Sequence, residues 1–243
     1  MKKIYFFFFA LALILLQSCS MHQKIHFNKD YSGTFKMEIN MTEALAFMSM
    51  MDTTGSMDGT DLMMEMFGSI DSFGLREKYA SIEGVSDVFI EPIDEGSFVI
   101  EYKFASLDAL NNSQGQLEEV FGELGSEMGG ADIPMGANKS PSDFKPFRLN
   151  KKTLTHISEP QEESPMDGMG DMEGMEGLGG EEMLSGMGEM FDIKMDYSFA
   201  RKIKKVEADG LIIEKQDKNF VSTTLDVEKM MEGANYQISF KLK

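Results

Sequence analysis

The sequence predicts an α+β fold, a largely antiparallel sheet with helices on one of its faces. Three observations predict it. GTFKMEIN (33–40) and FDIKMDYSFA (191–200) alternate apolar and polar residues, the period-two mark of strands with one buried and one wet face. Other stretches place apolar residues three and four apart, the stripe of a helix that packs on such a sheet. SDVFIEPI and SFVIEYKF, parted only by Asp94-Glu95-Gly96, read as a hairpin, which makes that pair antiparallel.

The elements follow in order. In GTFKMEIN, Phe35, Met37 and Ile39 fall on one side and Thr34, Lys36 and Glu38 on the other. Asn40 followed by Glu43 makes a capping-box-like start for a helix over 41–51, with Leu45, Met48 and Met51 on one stripe. After a break at 52–59, a second helix starts near Thr60 or Asp61. Its stripe is Leu62, Met63, Met66, Phe67, Ile70 and Phe73, and a short continuation carries Leu75, Tyr79 and Ile82. The hairpin comes next, with Phe98, Ile100, Tyr102 and Phe104 on one face of its second strand. Past Ser106 a helix lines up Leu107, Leu110, Leu117, Phe121 and Leu124, weakened in its middle by Asn111, Asn112 and Gly115. A Gly, Pro and Ser loop over 125–142 leads to FRLNKKTLTHI, read as one strand. Over residues 31–158 the order strand, helix, strand, strand, helix, strand resembles the βαββαβ arrangement of ferredoxin-like domains.

Residues 159–190 form an acidic, glycine-rich and methionine-rich insertion, expected to be flexible. Alternation resumes with Phe191, Ile193, Met195, Tyr197 and Phe199. KIKKVEADGLIIEK reads as two strands about an Ala-Asp-Gly turn, and FVSTTL as another. Asp226 caps a short helix with Val227, Met230 and Met231 inward; NYQISFKLK then puts Tyr236, Ile238, Phe240 and Leu242 on one face. Residues 191–243 are thus a β-rich unit that completes the fold.

The chain opens MKKIYFFFFALALILLQSCS: two lysines, an apolar run from Ile4 to Leu16, then small and polar residues up to Cys19. That is the layout of a signal peptide. The apolar run falls short of the roughly 20 residues a bilayer-spanning helix needs, so the sequence does not read as transmembrane. Leu16-Gln17-Ser18-Cys19 resembles the lipobox of bacterial lipoproteins, in which a diacylglycerol joins the cysteine and the peptide is cut just before it. The resemblance implies that residues 1–18 are a signal peptide recognised through Leu16, Gln17 and Ser18, that Cys19 starts the mature chain, and that its acyl chains bind the membrane. Two or more chains are needed because one gives only marginal residence, at about 0.8 kcal/mol per buried methylene. Ser20 stands where aspartate would signal the inner membrane, which implies the outer membrane. His22-Gln23-Lys24 lacks the acids that accompany surface export, which implies the periplasmic face. Residues 19–30 are expected to tether body to lipid. The overall layout resembles uncharacterised bacterial envelope lipoproteins, a likeness that carries no catalytic motif.

Cys19 is the single cysteine, so no intramolecular disulfide and no cysteine metal cluster can form, and the core alone must hold the fold. The formal charge is −18, and losing Lys2 and Lys3 with the signal leaves −20. Such acidity argues against nucleic acid as a partner and against docking on anionic headgroups. The anchor, not charge, would hold the protein to its membrane.

Met166, Met169, Met172 and Met175 stand three apart in the insertion, and Met183, Met187 and Met190 follow. Thioethers are soft ligands that suit Cu(I), and the run resembles the Met-rich motifs of periplasmic copper-handling proteins. The same spacing suits an adaptable apolar stripe for a partner. Against any stable helix stand Gly168, Gly170, Gly174, Gly177, Gly179 and Gly180, each costing about 1 kcal/mol relative to alanine. Composition therefore favours a mobile loop over the other two readings. Thr54, Ser56, Asp58, Gly59, Thr60 and Glu65 echo a calcium loop, but Thr54 replaces its leading aspartate and Asp61 its apolar residue, so a turn into a helix cap is the plainer reading.

Signals for catalysis are poor. His22, His26 and His156 show no ligand spacing, and no serine elbow, phosphate loop or zinc helix occurs. Arg201, Lys202, Lys204 and Lys205 form a basic patch that could take a partner, though an edge strand guarded by lysines explains it as well. The sequence points to a non-enzymatic, lipid-anchored envelope protein that binds or scaffolds an envelope protein partner. It needs no cofactor beyond the covalent lipid. Copper handling, or an apolar ligand held between sheet and helices, are the alternatives.

Overall fold

The computed structural model describes residues 19–40, 42, 74–94, 96–114, 116, 144–158, 191–226, 229 and 235–243. Through them the chain runs β1 (Cys19–Phe27), β2 (Gly33–Asn40), α1 (Leu75–Ser81), β3 (Val85–Asp94), β4 (Ser97–Phe104), α2 (107–114), β5 (Phe147–Asn150) and β6 (Thr153–Ile157). There follow β7 (Phe191–Phe199), β8 (Ile203–Asp209), β9 (Leu211–Gln216), β10 (Phe220–Leu225) and β11 (Gln237–Leu242). The strands make two sheets, one of seven in the order β3-β4-β2-β1-β7-β10-β9 and one of four in the order β5-β6-β11-β8. All neighbours are antiparallel except β1 and β7, which run parallel. A sheet-dominated α+β fold is therefore what the chain adopts, with a mixed larger sheet.

Alternation dictates which face is buried. Ile25 and Phe27 pair across the ladders with Phe35 and Gly33 on one side and with Tyr197 and Phe199 on the other, so apolar side chains from neighbouring strands share one face. Two layers cover that face. The small sheet covers β1 and β7, with Phe147 6.1 Å from Phe27 and Phe240 4.8 Å from both Tyr197 and Phe199, ring centre to ring centre. The helices cover β2 and β4: the ring of Tyr79 lies 5.2 Å from that of Tyr102, whose hydroxyl shares a 2.5 Å hydrogen bond with Ser113 of α2. The opposite face of the large sheet carries the polar alternates.

Four expectations change. Residues 19–27, expected as part of a tether, form the central strand of the large sheet. In MHQKIHF the period-two pattern is present, but Gln23 interrupts the apolar side and hides it. The βαββαβ expectation fails at its fourth strand. β3, β4 and β2 are neighbours in that order, yet the place beside β2 belongs to β1, and the chain after α2 enters the small sheet. FRLNKKTLTHI is a hairpin, β5 and β6, that turns on Lys151 at φ 57°. Last, the two strands about the Ala-Asp-Gly turn lie in different sheets. Gly210, at φ 67°, makes the crossing, and a Cβ there would lie 3.0 Å from Tyr236 Cα, so only glycine fits.

The expected helices over 41–51 and 60–73, the stripe beyond Gln114, the loop 125–142, the insertion 159–190 and the calcium-like loop lie outside the described residues, Thr42 and Gln116 apart. So do Val227, Met230 and Met231, although Asp226 Oδ1 accepts from the Lys229 backbone N–H at 3.4 Å, as a helix cap would.

Candidate functional site

The start of β1 is where the lipobox reading meets the fold. Cys19 is the first residue of that strand and is paired with Phe191 of β7, while Ser20 is paired with Asn40 of β2 and Asp192 of β7. β1 has three strands on either side of it. The residue singled out by the lipobox resemblance is thus the first described residue of the middle strand, with no free chain between it and the ladder. Leu16, Gln17 and Ser18 lie outside the described residues. So do Met166, Met169, Met172 and Met175.

The wet face carries a polar network across β1, β7 and β10. His22 Nε2 lies 2.9 Å from Asp196 Oδ2, and the Ser222 hydroxyl donates to Asp196 Oδ1 at 2.6 Å. His26 Nδ1 lies 2.9 Å from the Ser198 hydroxyl. Serine, histidine and aspartate are all present, but the carboxylate lies between the other two. A serine nucleophile needs its base within reach of its own hydroxyl; the Ser222 hydroxyl is spent on the acid, and the Ser198 hydroxyl, which reaches His26, also donates to the Ile25 carbonyl at 3.3 Å. Chemically the trio is a cross-strand tie joining β1, β7 and β10. Beside it, Lys36 at 2.7 Å and Lys24 at 3.2 Å hold the Glu38 carboxyl below the usual carboxylate range, against the opposing effect of its partial burial. The sequence hid this network because its members are far apart in the chain; the polar alternates of β1 and β7 were the signal.

His156 occupies the core. Its ring stacks on Phe147 at 4.1 Å, Nδ1 shares a 2.7 Å hydrogen bond with the Tyr197 hydroxyl, and the Tyr236 hydroxyl lies 3.4 Å from Nε2. Burial among these rings pushes its pKa down to about 3, so the ring is neutral at physiological pH. A neutral histidine held between two tyrosine hydroxyls specifies packing.

The four basic residues do not converge on one point. Arg201 lies over the Tyr31 ring at 4.9 Å and donates to its hydroxyl at 3.3 Å, bracing a tyrosine whose φ is 67°. The Lys202 carbonyl accepts from the Lys243 backbone N–H at 2.9 Å. Lys205 pairs with Glu207, and Lys204 is exposed beside it on β8. β8 is an edge strand of the small sheet, the setting in which lysines deter strand addition.

Among the described residues no group of three or more His, Cys, Asp or Glu side chains is placed to hold a metal ion. No described helix is long and apolar enough to cross a membrane.

No protein-family model matches the sequence, and no curated protein is significantly similar to it. Among solved structures the chain is similar to the folded domain of LppM from Mycobacterium tuberculosis, solved by NMR, with 9% identity and a TM-score of 0.37 over 93% of this chain and 90% of that one.

Proposed function

We propose that this is a lipid-anchored protein of the bacterial cell envelope, held by acyl chains on Cys19 at the periplasmic side of the outer membrane, and that it acts by binding or scaffolding an envelope partner. One observation carries the reading. The residue at which the lipobox would have the chain cut and acylated already lies in the central strand, paired with Phe191 of β7. Cutting before Cys19 removes the apolar leader and keeps every described residue of β1, whereas a cut a few residues later would shorten the strand that joins both halves of the large sheet. The binding role rests on the polar groups of the wet face being engaged with each other, which leaves shape and surface as the means of action. No cofactor beyond the covalent lipid enters this reading.

The test is the mass of the N-terminal tryptic peptide, Cys19–Lys24, from protein purified out of cell envelopes. A diacylglycerol-bearing peptide, with the protein partitioning into the detergent phase, is the expected result. Cys19→Ala should abolish both the acyl mass and the partitioning of mature protein. An unmodified peptide from wild-type cells would remove the anchor.

A further inference from the structure

We propose that the rim of the large sheet carrying Cys19 lies against the headgroups of the same leaflet that holds the acyl chains, so that the body stands on the membrane and does not swing from it. The inference rests on the acylation of Cys19 proposed above. Cys19 is already in the ladder, and one strand residue spans only about 3.3 Å, so an acylated Cys19 leaves no slack between lipid and sheet.

The same rim carries the apolar surface that such contact would cover. Among the described residues Ile93 and Ile212, 52% and 54% exposed, are the most exposed of the large hydrophobic side chains. They sit on β3 and β9, the two edge strands, with the anchor strand midway between them. Ile93 adjoins the Asp94–Ser97 turn, whose Ser97 is paired with Asn40, the partner of Ser20. Ile212 is paired with Thr224, Thr224 with Lys194, and Lys194 with His22, three residues along from Cys19. The sheet's twist tilts the edge strands away from the axis of β1 and sets their ends back from its tip, which places both isoleucines at headgroup depth and not among the acyl chains. Near that rim the described side chains set Asp192 and Asp226 beside Lys194, which leaves no positive patch to draw an anionic surface, so the facing lipid should be zwitterionic.

The chain has no tryptophan, so a single introduced one reports without background. Ile93→Trp, Ile212→Trp and, in the turn at the opposite end of the sheet, Lys218→Trp would each be made in the full-length protein and purified in acylated form. Each would be checked for wild-type circular dichroism and reconstituted in phosphatidylcholine vesicles. Quenching by lipids spin-labelled at the headgroup should be at least threefold greater at 93 and 212 than at 218. It should exceed quenching by labels deep in the acyl chain, and fall as phosphatidylglycerol is added. Equal quenching at all three positions with Cys19 acylated overturns the seating alone. Strong quenching at 218 would mean that the sheet lies flat, which also overturns it. A Cys19 without acyl chains removes the anchor and the seating together.

Discussion

His156 and Asn111 show how single polar residues fix this core. The His156 ring is buried against Phe147 and the hydroxyls of Tyr197 and Tyr236, with Ile238 paired across the ladder, and its pKa falls from the ordinary 6.5 to about 3. Above pH 6.5 the ring is neutral whether the chain is folded or not. Between pH 6.5 and 3 the unfolded ring takes up a proton that the folded ring refuses, so stability falls as pH falls. At pH 5 the loss from this residue is about 2 kcal/mol. His156→Gln, which hydrogen-bonds without titrating, should narrow the difference in urea-unfolding free energy between pH 7 and pH 5 by about that amount. An unchanged difference would clear the ring of responsibility. Asn111 works through the backbone: its Nδ2 donates to the Phe147 carbonyl at 2.9 Å, and its Oδ1 accepts from the Phe147 N–H at 2.8 Å. One side chain thereby imitates a rung of β-ladder and ties α2 to β5. Asn111→Ala takes away both partners in a buried place and should cost about 3 kcal/mol in equilibrium unfolding, while Asn112→Ala, one residue on and exposed, should cost less than about 0.5.

At the scale of elements, β1 decides the architecture. It pairs along nearly its whole length with β2 on one side and β7 on the other, and Phe27 touches Phe104, Phe147 and Phe199 at once. A chain beginning at Asn28 should lose the near-ultraviolet circular dichroism signal and unfold without a cooperative urea transition. Were residues 19–27 a tether, that chain would unfold like the original. The strands with clean alternation were legible in the sequence: β2 and β4 bury every residue their patterns named, β7 buries Met195, Tyr197 and Phe199 with Ile193 half-buried, β11 buries Ile238, Phe240 and Leu242, and Leu75 and Tyr79 of α1 are buried as well. Pairing was less so. The sequence pattern says which side of a strand is apolar, but the same side fits any neighbour that offers a complementary face. The strand after α2 has an apolar side that serves the small sheet as well as it would have served the large one. Lys151-Lys152 carries no glycine or asparagine to announce a turn, so β5 and β6 read as one strand. Of the candidate site, Cys19 was legible only as part of a lipobox resemblance. The His22–Asp196–Ser222 tie was not, because it exists only once three separated strands are side by side.

For the whole molecule the governing quantity is charge. The chain has 41 acidic against 23 basic side chains, but the described residues hold 16 acidic against 20 basic ones, so the acidic excess lies outside the described body. Salt has two opposing effects on that balance. It weakens exposed ion pairs such as Lys103–Asp87 and Lys145–Asp108, both well over half exposed, and each of these contributes no more than about 1 kcal/mol at low salt. It also screens the long-range repulsion among the excess acids, and a Debye length that shrinks from about 10 Å at 0.1 M to about 3 Å at 1 M removes most of it. The described body has no acidic excess of its own, so the loss of its ion pairs is the larger effect there. The urea midpoint of the protein freed of its lipid should therefore fall between 0.02 and 0.5 M sodium chloride, by the equivalent of about 1 kcal/mol or less, with the cross-strand pairs of the wet face, Lys24–Glu38–Lys36 foremost, giving the larger share. A midpoint that rises with salt would instead assign the balance to repulsion among the acids outside the described residues, and leave that ladder without a measurable share.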